Sequence, residues 1–300
     1  MAVRIALILG VVLGVADAKR DTPWSRYATP APGKSESIGR YAGGCLVGAA
    51  TLPAQGEGFV SIRRFRNRYY GHSDLVDFIR DFGKSLMQQE IEPIFIGDMS
   101  QPRGGLMGYG HRSHQLGLDA DMWFSRPPAG QRDKDEYFPS LVNRTTETIV
   151  AERWTPQIVS TLKMAAEDPR VSRIFVHWVI KRALCETAKT DEKWLRKIRP
   201  WWGHDRHFHV RLYCPKGNSD CRNQGEIKAG TGCGKEVWFS KPKVAARKSK
   251  AAVKAKARAA ARAAKGLPKR VRKPRKPRPL VPRCKAMLEK RPPPASIKKP

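Results

Sequence analysis

The sequence predicts an α+β fold, a single domain in which a central antiparallel sheet is flanked by helices and loops. Two runs alternate apolar and polar residues at strand spacing, Leu118 to Phe124 and His207 to Leu212. Elsewhere apolar residues recur at helical spacing, as in Leu75, Val76, Phe78, Ile79, Phe82, Leu86 and Met87. The mixed stretch 45–240 spans about 200 residues, enough to bury one real core.

Taken in order, the chain begins with a pattern of its own. Arg4 is the only charge before Asp17, Ile5 to Val15 is apolar, and Ala16-Asp17-Ala18 follows. That is the pattern of a secretory signal peptide over residues 1–18, cut before Lys19. Its apolar core is shorter than the ~20 residues of a membrane span and no later stretch qualifies, so no transmembrane anchor is expected. Export agrees with the six cysteines, an even number suited to disulfides in an oxidising compartment. Which of them pair is left open by spacing alone.

Residues 19–44 are rich in Pro, Gly and Ser without periodicity and read as an extended N-terminal arm. Ser73 is the expected cap of the helix that carries Leu75 to Met87. Pro93 to Ile96 reads as a short buried strand. Thr155-Pro156 opens a helix to about Asp168, with proline at its first position. Val171 to Val176 then reads as a strand, and Ile180 to Thr187 and Asp191 to Ile198 as short helices.

After Phe239 the composition shifts. From Lys241 to Pro300 there are 23 Lys and Arg against one acid, Glu289, a net +22 out of the chain's +31, which leaves +9 for the first 240 residues. Low hydrophobicity with high net charge predicts disorder for most of 241–300, with transient helix in the alanine-rich Ala251 to Ala264. Such a tail by itself suits nucleic-acid phosphates. Behind an export signal no nucleic acid is expected. The same salt-screened attraction then falls on anionic polymers of the envelope, against the plainer reading of a solvated tail with no specific partner.

The chemistry gathers elsewhere. Five of the seven histidines lie in two short runs, Gly110-His111-Arg112-Ser113-His114-Gln115-Leu116-Gly117-Leu118-Asp119-Ala120-Asp121 and His204-Asp205-Arg206-His207-Phe208-His209. As strands, these put Asp119, Asp121 and Trp123 on one face, and His207, His209 and Arg211 on one face, with the intervening apolar residues opposite. Imidazoles and carboxylates converging in this way suit zinc. As separate structural groups, each would cost about 1–3 kcal/mol if left unpaired. The isolated His72 and His177 are expected to be surface or satisfied core residues. There is no Cys-x-x-Cys pair and no His-Glu-x-x-His helix, so the donor set favours an open catalytic site over a closed cysteine-rich one.

His114-x6-Asp121 followed by His207-x-His209 resembles the zinc peptidases that group lysostaphin-like and D-Ala-D-Ala carboxypeptidase-like enzymes. Ser-His-Gln-x-Gly-Leu-Asp-Ala-Asp and Trp-Trp-Gly-His-Asp-x-His-Phe-His-Val-Arg-Leu narrow the resemblance to the penicillin-insensitive murein endopeptidases, from about Cys45 to Gly234 with a short return near Cys284. The resemblance implies a periplasmic zinc endopeptidase acting on peptidoglycan, at the D-alanyl to meso-diaminopimelyl amide that cross-links its strands. It implies His114, Asp121 and His209 as zinc ligands. His207 becomes a base or oxyanion stabiliser, with His204 as its catalytic companion, and His111 and His204 lie close enough to tune the metal, accept a hydrogen bond from substrate or add a ligand. Asp119 either orients a ligand imidazole or is a structural carboxylate.

The resemblance further implies the pairs Cys45–Cys284, Cys185–Cys233 and Cys214–Cys221. Because such enzymes use no serine nucleophile, penicillin does not stop them. One zinc is expected. Some members hold a second with an Asp and a His between the two motifs, whereas here 143–154 offers Glu147 and Glu152 but no His. Trp201 and Trp202 would wall a substrate groove or sit in the core. Two rival readings stand beside this one: a zinc D,D- or L,D-carboxypeptidase trimming peptidoglycan stems, and a polyanion-binding envelope protein whose metal site is structural or lost.

Overall fold

The computed structural model describes residues 22–125, 138–188, 192–268 and 279–289. The expected signal peptide and the most proline-rich part of the tail lie outside the described residues. The framework is a seven-stranded sheet in the order Ile198–Trp201, Val171–His177, His207–Leu212, Asp119–Trp123, Ile94–Ile96, Phe59–Ser61 and Gln55–Gly56.

This sheet corrects the expectation of an antiparallel one, because it is mixed. Val171–His177 runs parallel to Ile198–Trp201, and Phe59–Ser61 runs parallel to Ile94–Ile96. The physical reason lies in the connections. Parallel neighbours need a crossover, and a helix supplies it each time: Trp178–Thr187 between the first pair and Ser73–Gln88 between the second. The central pair remains antiparallel, with His209 opposite Asp121 and His207 opposite Trp123.

The apolar faces of the central strands make the core. Ala120, Met122, Phe208 and Val210 are fully buried in one cluster with Phe78, Ile79 and Leu86 from the first helix, Leu162 from Pro156–Glu167, and Val179 and Ile180 from Trp178–Thr187. Each large side chain buried this way contributes about 1.5–3 kcal/mol over leaving it in water. All five residues of Asp119–Trp123 are buried, so the polar face is covered too. The loops before each strand do the covering.

The helices confirm the periodicity but move a cap. Ser73–Gln88 is capped by His72, whose Nδ1 accepts from the Asp74 N–H at 3.1 Å, and not by Ser73. His177 does the same for Trp178–Thr187, with Nδ1 accepting from the Val179 N–H at 3.2 Å. Burial pushes both imidazoles down, His177 to about 4, which keeps them neutral and able to accept. The two isolated histidines are therefore helix caps. Of the helix expected over Asp191 to Ile198, Asp191 lies outside the described residues and the rest is a 3-10 turn, Lys193–Lys197, that runs straight into a strand.

The termini pack on the body. In the described part of the N-terminal arm Trp24, Tyr27 and Ala31 are buried, and Glu36–Arg40 pairs with Gly43–Val47. Trp24 and Ile38 pack with Cys45 and Cys284 in a second small cluster. These apolar residues are spread among prolines and glycines with no period to reveal them.

Within the described part of 241–300, Lys241–Ala263 is a 23-residue helix with no buried residue. Alanine, lysine and arginine are strong helix formers, and a proline in the first turn costs nothing there. Pro282–Glu289 then returns to the body and buries Cys284.

All six cysteines are paired, as Cys45–Cys284, Cys185–Cys233 and Cys214–Cys221. The first closes a loop of 239 residues that contains the whole basic stretch. Among the described residues no helix is long and apolar enough to cross a membrane.

Candidate metal and catalytic site

The site is assembled by register. Opposition of His209 and Asp121 on adjacent antiparallel strands points both side chains to one face, and the 110–118 loop folds His111 and His114 over it. His114 adopts φ 66°, and its backbone N–H donates to Asp119 Oδ2 at 3.1 Å. Leu116 and Leu118, fully buried in the core, anchor the loop from below.

Each of three imidazoles is committed at one nitrogen and turns the other to the same carboxylate. His114 Nδ1–H donates to the Met99 carbonyl at 3.0 Å, which leaves Nε2 3.4 Å from Asp121 Oδ1. His209 Nε2–H donates to Asp119 Oδ1 at 2.6 Å, which leaves Nδ1 3.4 Å from Asp121 Oδ1. His111 Nε2–H donates to Asp98 Oδ2 at 3.1 Å, which leaves Nδ1 3.5 Å from Asp121 Oδ2. A carbonyl or ionised carboxylate can only accept, so these tautomers follow from the partners. Lone pairs then face lone pairs around Asp121.

A cation resolves that arrangement. His114 Nε2 and Asp121 Oδ1 are both buried and have no hydrogen-bond partner, a state that costs about 1–3 kcal/mol per group. His111, His114 and Asp121 present ligand atoms within 4.8 Å of one another, close enough to hold a metal ion. His209 flanks that group, its ring centroid 4.5 Å from that of His114. Nitrogen and carboxylate donors, each braced by an outer hydrogen bond, fit a borderline ion such as zinc.

The electrostatics agree for the carboxylates and for two of the imidazoles. Burial alone would raise Asp121, but His207, His111 and His114 outweigh it and hold the carboxyl well below the usual range. Burial likewise opposes ionisation of Asp119, and Arg211 followed by His209 overcomes it. Burial pushes His209 down to about 3, with His114 adding to the effect, and pushes His207 down to about 4 against the pull of Asp121. His207 and His209 are thus the neutral imidazoles a metal site needs, whereas at His114 burial is outweighed by Asp121, which draws it upward.

The remaining expected residues take distinct places. His207 lies beside the cluster, Nε2 3.6 Å from Asp121 Oδ2, with its ring 4.9 Å from that of Trp123. His204, at φ 57°, donates from Nδ1 to the Trp202 carbonyl at 2.8 Å, and its ring is 5.1 Å from that of His207. Asp119 accepts from the His114 N–H, from His209 and from Arg211 Nε at 2.7 Å. Trp201 and Trp202 are about half exposed and therefore not core. Glu147 is engaged elsewhere, accepting from the Lys241 N–H at the start of the exposed helix.

Sequence reasoning missed Asp98. It is 1% exposed and gathers His111, Arg66 at 3.1 Å and Arg68 at 2.8 Å on Oδ2, doing for His111 what Asp119 does for His209. The available signal was an acid two residues beyond the apolar run Ile94-Phe95-Ile96.

Fold and site together define an α+β protein with a buried, metal-competent histidine–carboxylate centre on a sheet face. A model of the penicillin-insensitive murein endopeptidase family matches residues 37–289. The penicillin-insensitive murein endopeptidases of Escherichia coli (strain K12), Shigella flexneri and Shigella boydii are each 41% identical over 245 residues, covering 80% of this chain and 89% of theirs. The chain belongs to the penicillin-insensitive murein endopeptidase family.

Proposed function

We propose that the protein is a zinc-dependent murein endopeptidase that hydrolyses the D-alanyl to meso-diaminopimelyl amide of peptidoglycan cross-links in the periplasm. The observation that carries this reading is the convergence on Asp121 of three imidazole nitrogens, each left free by an outer hydrogen bond. His111, His114, Asp121 and His209 hold the ion. When bound, it supplies a nucleophile from water near neutral pH and polarises the scissile carbonyl.

The chain's own residues do the rest. His207, kept neutral by burial, faces the cluster through Nε2 and takes up a proton there as the amide is attacked, a role worth about 10²–10⁴-fold. His204 is held in one tautomer by the Trp202 carbonyl, so its Nε2 is free to accept or pass on a proton. Asp119 and Asp98 fix the rings of His209 and His111, and Trp201 and Trp202 offer exposed aromatic surface for the peptide stem. No serine is acylated in this scheme, which accounts for insensitivity to penicillin. The Lys241–Ala263 helix and the basic residues after it act as a tether to anionic envelope polymers.

Purified sacculi digested with and without a chelator test the reading. Cross-linked muropeptides should be converted to monomers, and the chelator should abolish the conversion. Release of terminal D-alanine alone would mean a carboxypeptidase, and binding without release would mean a structural site.

A further inference from the structure

Arg63 stands at left-handed backbone dihedrals, φ 54°, just after the Phe59–Ser61 strand. For a non-glycine residue that conformation costs on the order of 1–3 kcal/mol and persists only where the surroundings enforce it. The residue is 9% exposed, with its guanidinium 4.2 Å over the Trp123 ring and 5.3 Å from the Phe138 ring. Among the described residues no carboxylate or carbonyl accepts from it, and its Nε is buried without a partner. Burial pushes the guanidinium down to about 10, while Asp98 and Asp121 pull the other way.

Its neighbours make the contrast. Arg66 and Arg68 come from the same turn, and both are paired with Asp98. Asp121 is surrounded by imidazoles. Arg63 therefore feels the negative charge of the centre without owning any of it. The ring it covers, Trp123, packs on its other contacts against His207, the residue opposite it in the sheet. One aromatic ring separates the unpaired cation from the proposed proton acceptor.

We propose that Arg63 binds a carboxylate of the substrate beside the scissile amide, and that this sets specificity for the cross-link. The inference rests on the endopeptidase reading. In a D-alanyl to meso-diaminopimelyl bond, the carbon that carries the amide nitrogen also carries a carboxylate, so the substrate brings an anion to within one bond of the reacting group. A guanidinium stacked on an aromatic face keeps its N–H edge for in-plane, two-point bonding to such a carboxylate, which an ammonium cannot match. The stacking on Trp123 and the left-handed turn fix the position of the guanidinium before substrate arrives. Arg63 is thus a specificity-determining residue.

Two cross-linked muropeptides that differ only in that carboxylate, one free and one converted to the carboxamide, provide the test. The protein with its metal should cleave the carboxylate form with a kcat/KM about 10–100-fold higher, the span of one charge-assisted pair. Arg63→Gln should lose that preference chiefly through KM on the carboxylate form while its rate on the carboxamide stays close to the parent's, and Arg63→Lys should recover only part. Equal cleavage of both forms by the parent protein, or equal loss on both in Arg63→Gln, overturns the proposal. Binding of the two uncross-linked stem peptides, measured by calorimetry without turnover, should follow the same order. A protein that cleaves neither dimer yet prefers the carboxylate stem keeps the carboxylate site and fails the peptidase reading, and equal stem binding overturns the site itself.

Discussion

Two regions of this molecule stand out, and they are physical opposites. The strand pair Asp119–Trp123 and His207–Leu212 is almost wholly buried and is held by register, by the core beneath it and by loops from three parts of the chain. The helix Lys241–Ala263 has no buried residue; its start is tied to the body through Lys241 and Arg247, and beyond them it is held by its own backbone ladder and its residues' helix propensity. Long-range constraint fixes atoms to a few tenths of an ångström, as chemistry requires. Local propensity fixes only a direction, which is enough for a charged surface.

Breaking the first region should have the largest effect. Asp119→Ala removes the acceptor of three groups at once and strands Arg211 as an unpaired buried charge, so a loss of about 3–5 kcal/mol is expected in denaturant titrations, together with loss of bound metal. A variant with unchanged stability and full metal content would show that the Asp119 network is incidental.

Asp205 gives a smaller effect with a pH signature. Burial would raise its carboxyl, but hydrogen bonds from Arg144 and Ser140 outweigh that and depress it to about 2. A depressed carboxylate stabilises the fold fully above its unfolded value of ~3.9 and loses that contribution as pH falls through about 2. Because Arg144 is 63% exposed, the contribution is discounted to about 1–2 kcal/mol. Asp205→Asn should therefore be less stable than the parent at neutral pH, with the gap narrowing between pH 4 and 2. A gap independent of pH would contradict the assignment.

The exposed helix should matter least to stability and most to salt. Removing Val244 to Pro279 should leave the thermal midpoint nearly unchanged while weakening sacculus binding at low ionic strength far more than at high, since exposed charges are screened beyond ~8–10 Å at physiological salt. Turnover of a small soluble muropeptide should survive the deletion. If it collapsed, the helix would belong to the catalyst after all.

The contrast between the regions also explains what the sequence could reveal. The site strands were legible because alternation is local, and it placed Asp121 and His209 each on the polar face of its own strand before any pairing was known. The helix Ser73–Gln88 was legible for the same reason, though its cap was not: His72 caps through an imidazole, where hydroxyls and carboxylates are the usual signal. Asp98 and Arg63 were missed because each sits in a turn after a strand, where no period announces direction. The mixed sheet was hidden too, since strand spacing is alike in parallel and antiparallel pairs and only the intervening helices distinguish them. Trp24 and Tyr27 are buried by an arm whose composition reads as open chain.

The central claim is that two histidines on one strand face, two residues apart, divide the work: His209 holds the ion and His207 handles the proton. Metal analysis of His209→Ala and His207→Ala, alongside cleavage of a cross-linked muropeptide, tests it most directly. The account predicts that His209→Ala loses zinc and activity together, whereas His207→Ala keeps zinc and loses about 10²–10⁴-fold in rate. Full zinc in His209→Ala, or zinc loss in His207→Ala, would contradict it.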